Sequence, residues 1–372
     1  MTLPYQKIKD LIFGRNPMIF SQGEIQESQI QPASLDLTLG NRVYRTSSSF
    51  LPKPNETIRE ILQHRTLYDF EIKPGTILEP NSSYIIPIAE YVDLAPGIYA
   101  LANPKSSIGR VGLFVRLLCD RTPRFDYIPP GYTGPLYLEV IPLDFVVKIH
   151  PGLACNQVRF RTTRPYKVKE AELRLAHAKH GILFNQSGIS VTQDGVNIRD
   201  GGLMLTVDLA SRDVIGFRAK HDTTQAIDLG LVGEYEPADF WEPIVRPKTG
   251  ELILVPGNFY LLASQERISF PPQFAGEMAS YDPSSGEMRS HYAGFFDPGF
   301  GFEEAGEGGG TTAVLEVRAH NVPFRLTRGQ TICKMVYEHL LEEPEQWYST
   351  GFGSTYTGVG PKLSKHFKQK WQ

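Results

Sequence analysis

A chain of 372 residues exceeds the usual single-domain size, and its 41% apolar and 21% charged content is that of a globular protein. A formal net charge of -3 excludes a global electrostatic signature for nucleic acid or membrane surfaces, so any anion site must be local. The three cysteines, Cys119, Cys155 and Cys333, form neither a disulfide framework nor a C-x-x-C pair; no run approaches the roughly 18 apolar residues of a membrane span, and the N-terminus has no apolar leader, which together predict a reduced, cytoplasmic setting.

In chain order, Pro4 to Phe13 predicts a short helix with Ile8, Leu11 and Ile12 on one face, ended by Gly14. Gln31-Pro-Ala-Ser-Leu-Asp-Leu-Thr-Leu-Gly40 alternates through Leu35, Leu37 and Leu39, a strand closed by a turn residue. From Phe70 to Phe160 short apolar runs are broken by Pro-Gly, Pro-Asn and Pro-Pro-Gly, the pattern of an all-β half. Arg164 to His180, charged throughout, reads as a helix or a linker. Gly301 to Gly310 reads as a flexible hairpin loop, and no phosphate-loop or dinucleotide motif is present. Gly351 to His366 is glycine-rich and then basic, and reads as a mobile tail.

The chain repeats itself. Pro80, Tyr84, Glu90 and Pro96 recur at constant spacing as Pro256, Tyr260, Glu266 and Pro272. Ser106-Ser107 returns as Ser284-Ser285, Leu138-Glu139-Val140 as Leu315-Glu316-Val317, and Leu35 to Leu39 has its partner in Leu203 to Leu209. The expected organisation is therefore a first β domain over 1-165, a linker over 166-180, a second β domain over 181-340 and a tail over 341-372. Small hydroxyls and cations at Lys105-Ser-Ser-Ile-Gly-Arg110, followed by a carboxylate set in an apolar strand at Glu139, supply anion-holding groups and an acid/base group.

Gln31 to Gly40, Lys105 to Leu113, Pro130-Gly-Tyr-Thr-Gly134 and Leu138-Glu139-Val140, in that order, resemble the successive motifs of the dCTP deaminase family, and Gly358 to Leu363 is similar to its C-terminal lid. The resemblance implies a mainly β fold of two tandem dUTPase-like distorted jelly-roll (β-clip) domains with a few short helices. It implies a homo-oligomer with sites shared between domains, and conversion of dCTP to dUTP and ammonia without a catalytic zinc. It also implies Mg2+ carried by the substrate triphosphate and dTTP as a regulator. Independently, none of the nine histidines stands in an H-x-E and no P-C-x-x-C is present, so the residues of a zinc-type deaminase are missing from the sequence.

Glu139 and Glu316 are the candidate bases, because a carboxylate desolvated in an apolar strand suits proton shuttling; plain alternation would put either on a solvated face. By resemblance Ser106 and Arg110 orient base and water, while Lys105 and Ser107 hold phosphates. Lys105 stands where the family has Arg and lacks its bidentate fork. In the second half Ser284, Ser285 and Arg289 persist in part, and His291 and Asp297 resemble the pyrimidine and sugar pocket. Tyr356 and Lys362 belong to the lid. Each half has kept a different part of the site, so the expectation is that Lys105, Ser106, Ser107 and Arg110 of one half work with Asp297 and Glu316 of the other. Asp36 and Asp208 read as turn or strand hydrogen-bonders. A dUTP diphosphatase, a bifunctional enzyme taking dCTP to dUMP with Asp297 activating water, and a catalytically silent nucleotide-binding module are the alternatives.

Overall fold

The computed structural model describes residues 1-279, 288-291, 294-303, 309-348, 356 and 358-369, with backbone alone at 288-291. The chain forms two compact units: Met1–Pro165 with His221–Tyr235 and Ser364–Lys368, and Tyr166–Lys220 with Glu236–Leu363 and Gln369–Gln372. Two segments of the second half of the sequence thus fold into the first unit.

In the first unit a six-stranded antiparallel sheet runs Thr66–Glu71, Arg42–Thr46, Tyr84–Asp93, Thr133–Pro142 and Leu113–Cys119, with Ile19–Ser21 also paired to Tyr84–Asp93. A four-stranded sheet orders Leu35–Thr38, Ala154–Thr162, Ile98–Pro104 and Tyr127–Ile128. The expected first helix is Tyr5–Phe13, burying Ile8, Leu11 and Ile12. Leu35, Ile85, Ile86, Leu117, Val158 and Phe160 are fully buried, each contributing about 2 kcal/mol. A third sheet pairs Thr76–Leu78 with Val147–Ile149, whose other edge takes Ile227–Asp228 in parallel.

The second unit repeats this order. Trp241–Val245, Val214–Ala219, Tyr260–Ile268, Thr311–Ala319 and Met288–His291 form its six-stranded sheet with Leu183–Phe184; Gly202–Thr206, Thr331–His339, Phe274–Ala279 and Phe295–Phe296 form a second, extended by Ile198–Arg199, and Glu251–Leu254 pairs with Phe324–Thr327 in a third. Charged Arg164 to His180 contains a helix, Glu170–His180, which buries Leu173, Ala176 and His177.

The recurring residues recur because they do the same work. Thr38 donates its N–H and hydroxyl to Glu90 at 2.9 and 2.7 Å, and Thr206 donates the same two groups to Glu266 at 2.8 and 2.6 Å. Tyr84 Oη accepts from the Glu79 amide at 3.2 Å, as Tyr260 Oη does from Val255 at 3.0 Å. The tail departs from expectation: Leu363, Ser364, His366 and Phe367 are buried, and Tyr235 and Phe367 form a parallel bridge. Two apolar side chains and a backbone pairing outweigh the glycine-rich, basic composition that predicts mobility.

Candidate functional site

In the first unit Ile98–Pro104 ends in a one-turn helix, Ser106–Gly109, so Lys105, Ser106, Ser107 and Arg110 sit on one tight turn. The Arg110 amide donates to the Ser106 carbonyl at 3.2 Å, and both Ser107 and Arg110 are buried. Gly112 follows at φ +67, where a Cβ would collide with the Asp144 carboxylate. Lys105 Nζ is bound by Asp36, which is buried on the Leu35–Thr38 strand of the same sheet, across the intervening Ala154–Thr162 strand. Asp36 is therefore more than the strand hydrogen-bonder expected. Its strand register opposite Gln157 matches that of Met204 opposite Lys334, so the second unit has lost this carboxylate where Pro283 replaces the lysine. Asp208 instead caps its own turn, accepting from the amides of Ala210 and Ser211 at 3.1 and 2.9 Å. Ser364, from the expected tail, donates its hydroxyl to the Ser107 carbonyl at 2.7 Å.

Glu139 lies in Thr133–Pro142, paired across to Ile85 and Arg116, and is buried rather than on a solvated face. Ser83 donates to it at 3.2 Å. Desolvation pushes its carboxyl above the usual range, offset by hydrogen bonds from Ser49 and Ser83 and by the Arg116 charge. Arg116 also holds Asp126, and lies 4.6 Å from the centre of the Phe125 ring. Burial raises Asp126 to about 6 against the pull of Arg116. Ile58, Leu62, Ile85, Leu118 and Tyr137 pack together there, with Tyr44, Phe50 and Phe125 against them. The helix Ile58–Arg65 that brings Ile58 and Leu62 is stopped at its start by the Thr57/Glu60 capping box. Arg116 and Asp126 were missed from sequence because neither stands in a motif, and cross-strand register alone brings Arg116 beside Glu139.

Glu316 lies in Thr311–Ala319 and is also buried, with Leu261 opposite on one side and His291 on the other. Four residues earlier on the same face, Thr312 anchors the lid: its amide donates to Gly358 O at 3.1 Å and its hydroxyl accepts from the Gly360 amide at 2.8 Å. A Cβ on Gly358 would lie 3.1 Å from Lys362 Nζ, so Lys362 rests on this strap, and Tyr356 is half-buried. Asp297 is buried in the second unit just before the Pro298–Gly299 turn. Ser284 and Ser285 lie outside the described residues, as do the side chains of Arg289 and His291, whose backbone forms the Met288–His291 strand.

All three cysteines are buried, which pushes the Cys155 thiol to about 12 and the other two up as well. Among the described residues no three His, Cys, Asp or Glu side chains converge as a metal-ligand set, and no helix is long and apolar enough to cross a membrane.

Two family models meet end to end on this chain. The N-terminal domain of 2'-deoxycytidine 5'-triphosphate deaminase matches residues 1-164 and its C-terminal domain matches 169-367. The chain belongs to the dCTP deaminase family. Among its solved relatives, the dCTP deaminase of Agrobacterium tumefaciens superposes with a TM-score of 0.83 at 39% identity, over 92% of this chain and 99% of that one. Among the curated dCTP deaminases, the dUMP-forming enzyme of Methanobrevibacter smithii is 30% identical over 159 residues, 41% of this chain and 75% of its own length. That of Nanoarchaeum equitans is 30% identical over 187 residues, 45% of this chain and 90% of its own. Each of these two dCTP deaminases thus matches less than half of this chain, as a single repeat would, and the mainly β architecture read from the sequence holds for this member of the family.

Proposed function

We propose that this enzyme deaminates dCTP with Glu316 as the working base. The observation that carries the reading is the place of Glu316: buried, directly opposite His291 in the ladder, and on the strand face to which the lid is hydrogen-bonded through Thr312. Glu139 has the same strand position but sits against Arg116, which Asp126 already engages, beside a packed apolar cluster. Its role is structural.

In this reading water adds to C4 of the cytosine ring. The Glu316 carboxylate takes a proton from that water, delivers it to N3, and then carries the second proton to the leaving amine, which departs as ammonia as the C4 carbonyl forms. A buried carboxylate keeps these transfers away from bulk water, and donors fixed around the tetrahedral centre need no reorganisation. In this reading His291 and Asp297 serve the pyrimidine and sugar, and Tyr356 and Lys362 belong to the lid that closes over the ligand. Ser106, Ser107, Arg110 and Lys105 are the anion-holding groups of the first unit. Mg2+ enters as counterion of the triphosphate, the enzyme works as a homo-oligomer in the cytoplasm, and dTTP is its effector.

The product is dUTP in the simplest form of this reading. The dUMP-forming activity of the Methanobrevibacter and Nanoarchaeum relatives favours a second one, in which buried Asp297 activates water at the α-phosphate and dCTP leaves as dUMP and pyrophosphate. Incubation with dCTP and Mg2+, with ammonia and pyrophosphate quantified together, separates them: ammonia alone supports the first, equimolar pyrophosphate the second, and neither overturns both.

A further inference from the structure

The second unit holds a pair of arginines that the deamination chemistry does not use. Arg212 donates Nη2 to Gln186 Oε1 at 3.0 Å, and Arg267 donates Nη2 to the carbonyl of the same Gln186. Both Nε atoms are buried without a hydrogen-bond partner, and among the described residues neither guanidinium forms an ion pair. Burial, and then the charge of Arg212, hold Arg267 below the ordinary arginine range. Two like charges set side by side on one glutamine, each with a buried and unpartnered Nε, are unfavourable unless an anion joins them.

The backbone around them is cut away. A Cβ on Gly360, at φ +103, would lie 3.2 Å from Arg212 Nε, and one on Gly188, at φ +81, would lie 3.2 Å from Arg267 Nη1. The Gly360 amide is the one held by Thr312, and Thr312 is the register partner of Arg267. A bulge between Ala263 and Arg267, in which Ser264 Oγ accepts from the Ala313 amide at 2.9 Å, sets that register. In the first unit the position of Arg267 is held by Tyr91, which stacks on Phe20. The fold therefore does not require a cation here.

We propose that Arg212 and Arg267, oriented by Gln186, form a binding site for a phosphate chain, with the Gly358–Gly360 strap seated over it. Two planar forks suit phosphate oxygens bidentately, and the glycines let a chain of oxygens approach. Thr312 and Glu316 are four residues apart on one strand, about 13 Å, so a nucleotide whose base meets Glu316 reaches the arginines with its terminal phosphates. That last link rests on the Glu316 reading; the anion site itself does not.

The test uses the full-length enzyme and inorganic tripolyphosphate as probe. Tripolyphosphate should raise the thermal midpoint of the wild type and of Arg246→Met, an exposed arginine bound to Asp213. Arg212→Met and Arg267→Met should lose that rise, and Arg267→Lys, which keeps the charge but not the fork, should keep part of it and guard against misfolding of the neutral variants. If KM for dCTP rises about tenfold or more in the same variants, the site takes the substrate's own phosphates. If the stabilisation is lost with KM unchanged, it takes a separate phosphate-bearing effector. A wild-type response in both methionine variants overturns the site. Full turnover by Glu316→Gln would overturn the Glu316 reading and leave the tripolyphosphate result standing.

Discussion

Glu316 stands directly opposite His291 in the antiparallel ladder, where the matching position of the first unit sets Glu139 opposite Arg116. The two glutamates share a sequence motif and a strand place, and differ in what faces them. Glu316→Gln is expected to lower kcat by about a thousandfold, the scale of a lost general base, and Glu139→Gln to leave kcat within a few-fold of wild type. Steady-state ammonia release from both variants checks this, and equal losses would defeat the assignment.

Arg116 pairs with the half-buried Asp126, and its charge also acts on the buried Glu139. Arg116→Met removes the cation and leaves both carboxylates uncompensated, an expected loss of about 3 kcal/mol in first-unit stability. Denaturant unfolding followed by fluorescence would measure it; a change under about 1 kcal/mol would show that both carboxylates are already neutral.

Ser364 fixes the carbonyl of Ser107 from the far end of the chain. With Ser364→Ala the Lys105 to Arg110 turn loses that anchor, and KM for dCTP should rise several-fold with kcat nearly unchanged, as for a lost positioning contact. An unaltered KM would remove this turn from substrate binding.

His366 is fully buried, and its Nδ1–H donates to the Leu231 carbonyl at 2.7 Å. Desolvation first, then Lys365, holds its pKa below the ordinary 6.5, while Leu231 and Asp228 oppose the shift. Because the folded pKa is depressed, the contribution to stability is whole above about 6.5 and is lost as pH falls from there toward the folded value. The thermal midpoint should drop on acidification below that point, and His366→Gln, which can still donate to Leu231, should flatten the drop. Other groups that face this segment are His150, Asp228, Lys365, Lys105 and Asp36, so the comparison is between variant and wild type at each pH.

The paired clamps make a further comparison. Thr38→Val and Thr206→Val each delete one hydroxyl bond to a glutamate, Glu90 or Glu266, and should each cost about 1 kcal/mol. A loss in one unit only would mean that the repeat is one of sequence and not of energetics.

The repeat, the β character and the two strand glutamates were legible in the residues, because alternation and turn chemistry act over a few neighbours and recur wherever those neighbours recur. The first helix was legible for the same reason, since Ile8, Leu11 and Ile12 need only one another to define a face. What faces each glutamate was not. Strand register sets Arg116 opposite Glu139 and His291 opposite Glu316, and register depends on where each strand is laid down. Nor did composition reveal that His221–Tyr235 and Ser364–Lys368 would complete the first unit, since Phe367 gains its burial from chain far away in sequence. Arg267 carried a faint signal, an arginine where the repeat has Tyr91, and Arg212 none; only the tertiary structure set the two together over Gln186. Local pattern determined which residues form strands; long-range packing decided that both strand glutamates are buried and which charges meet.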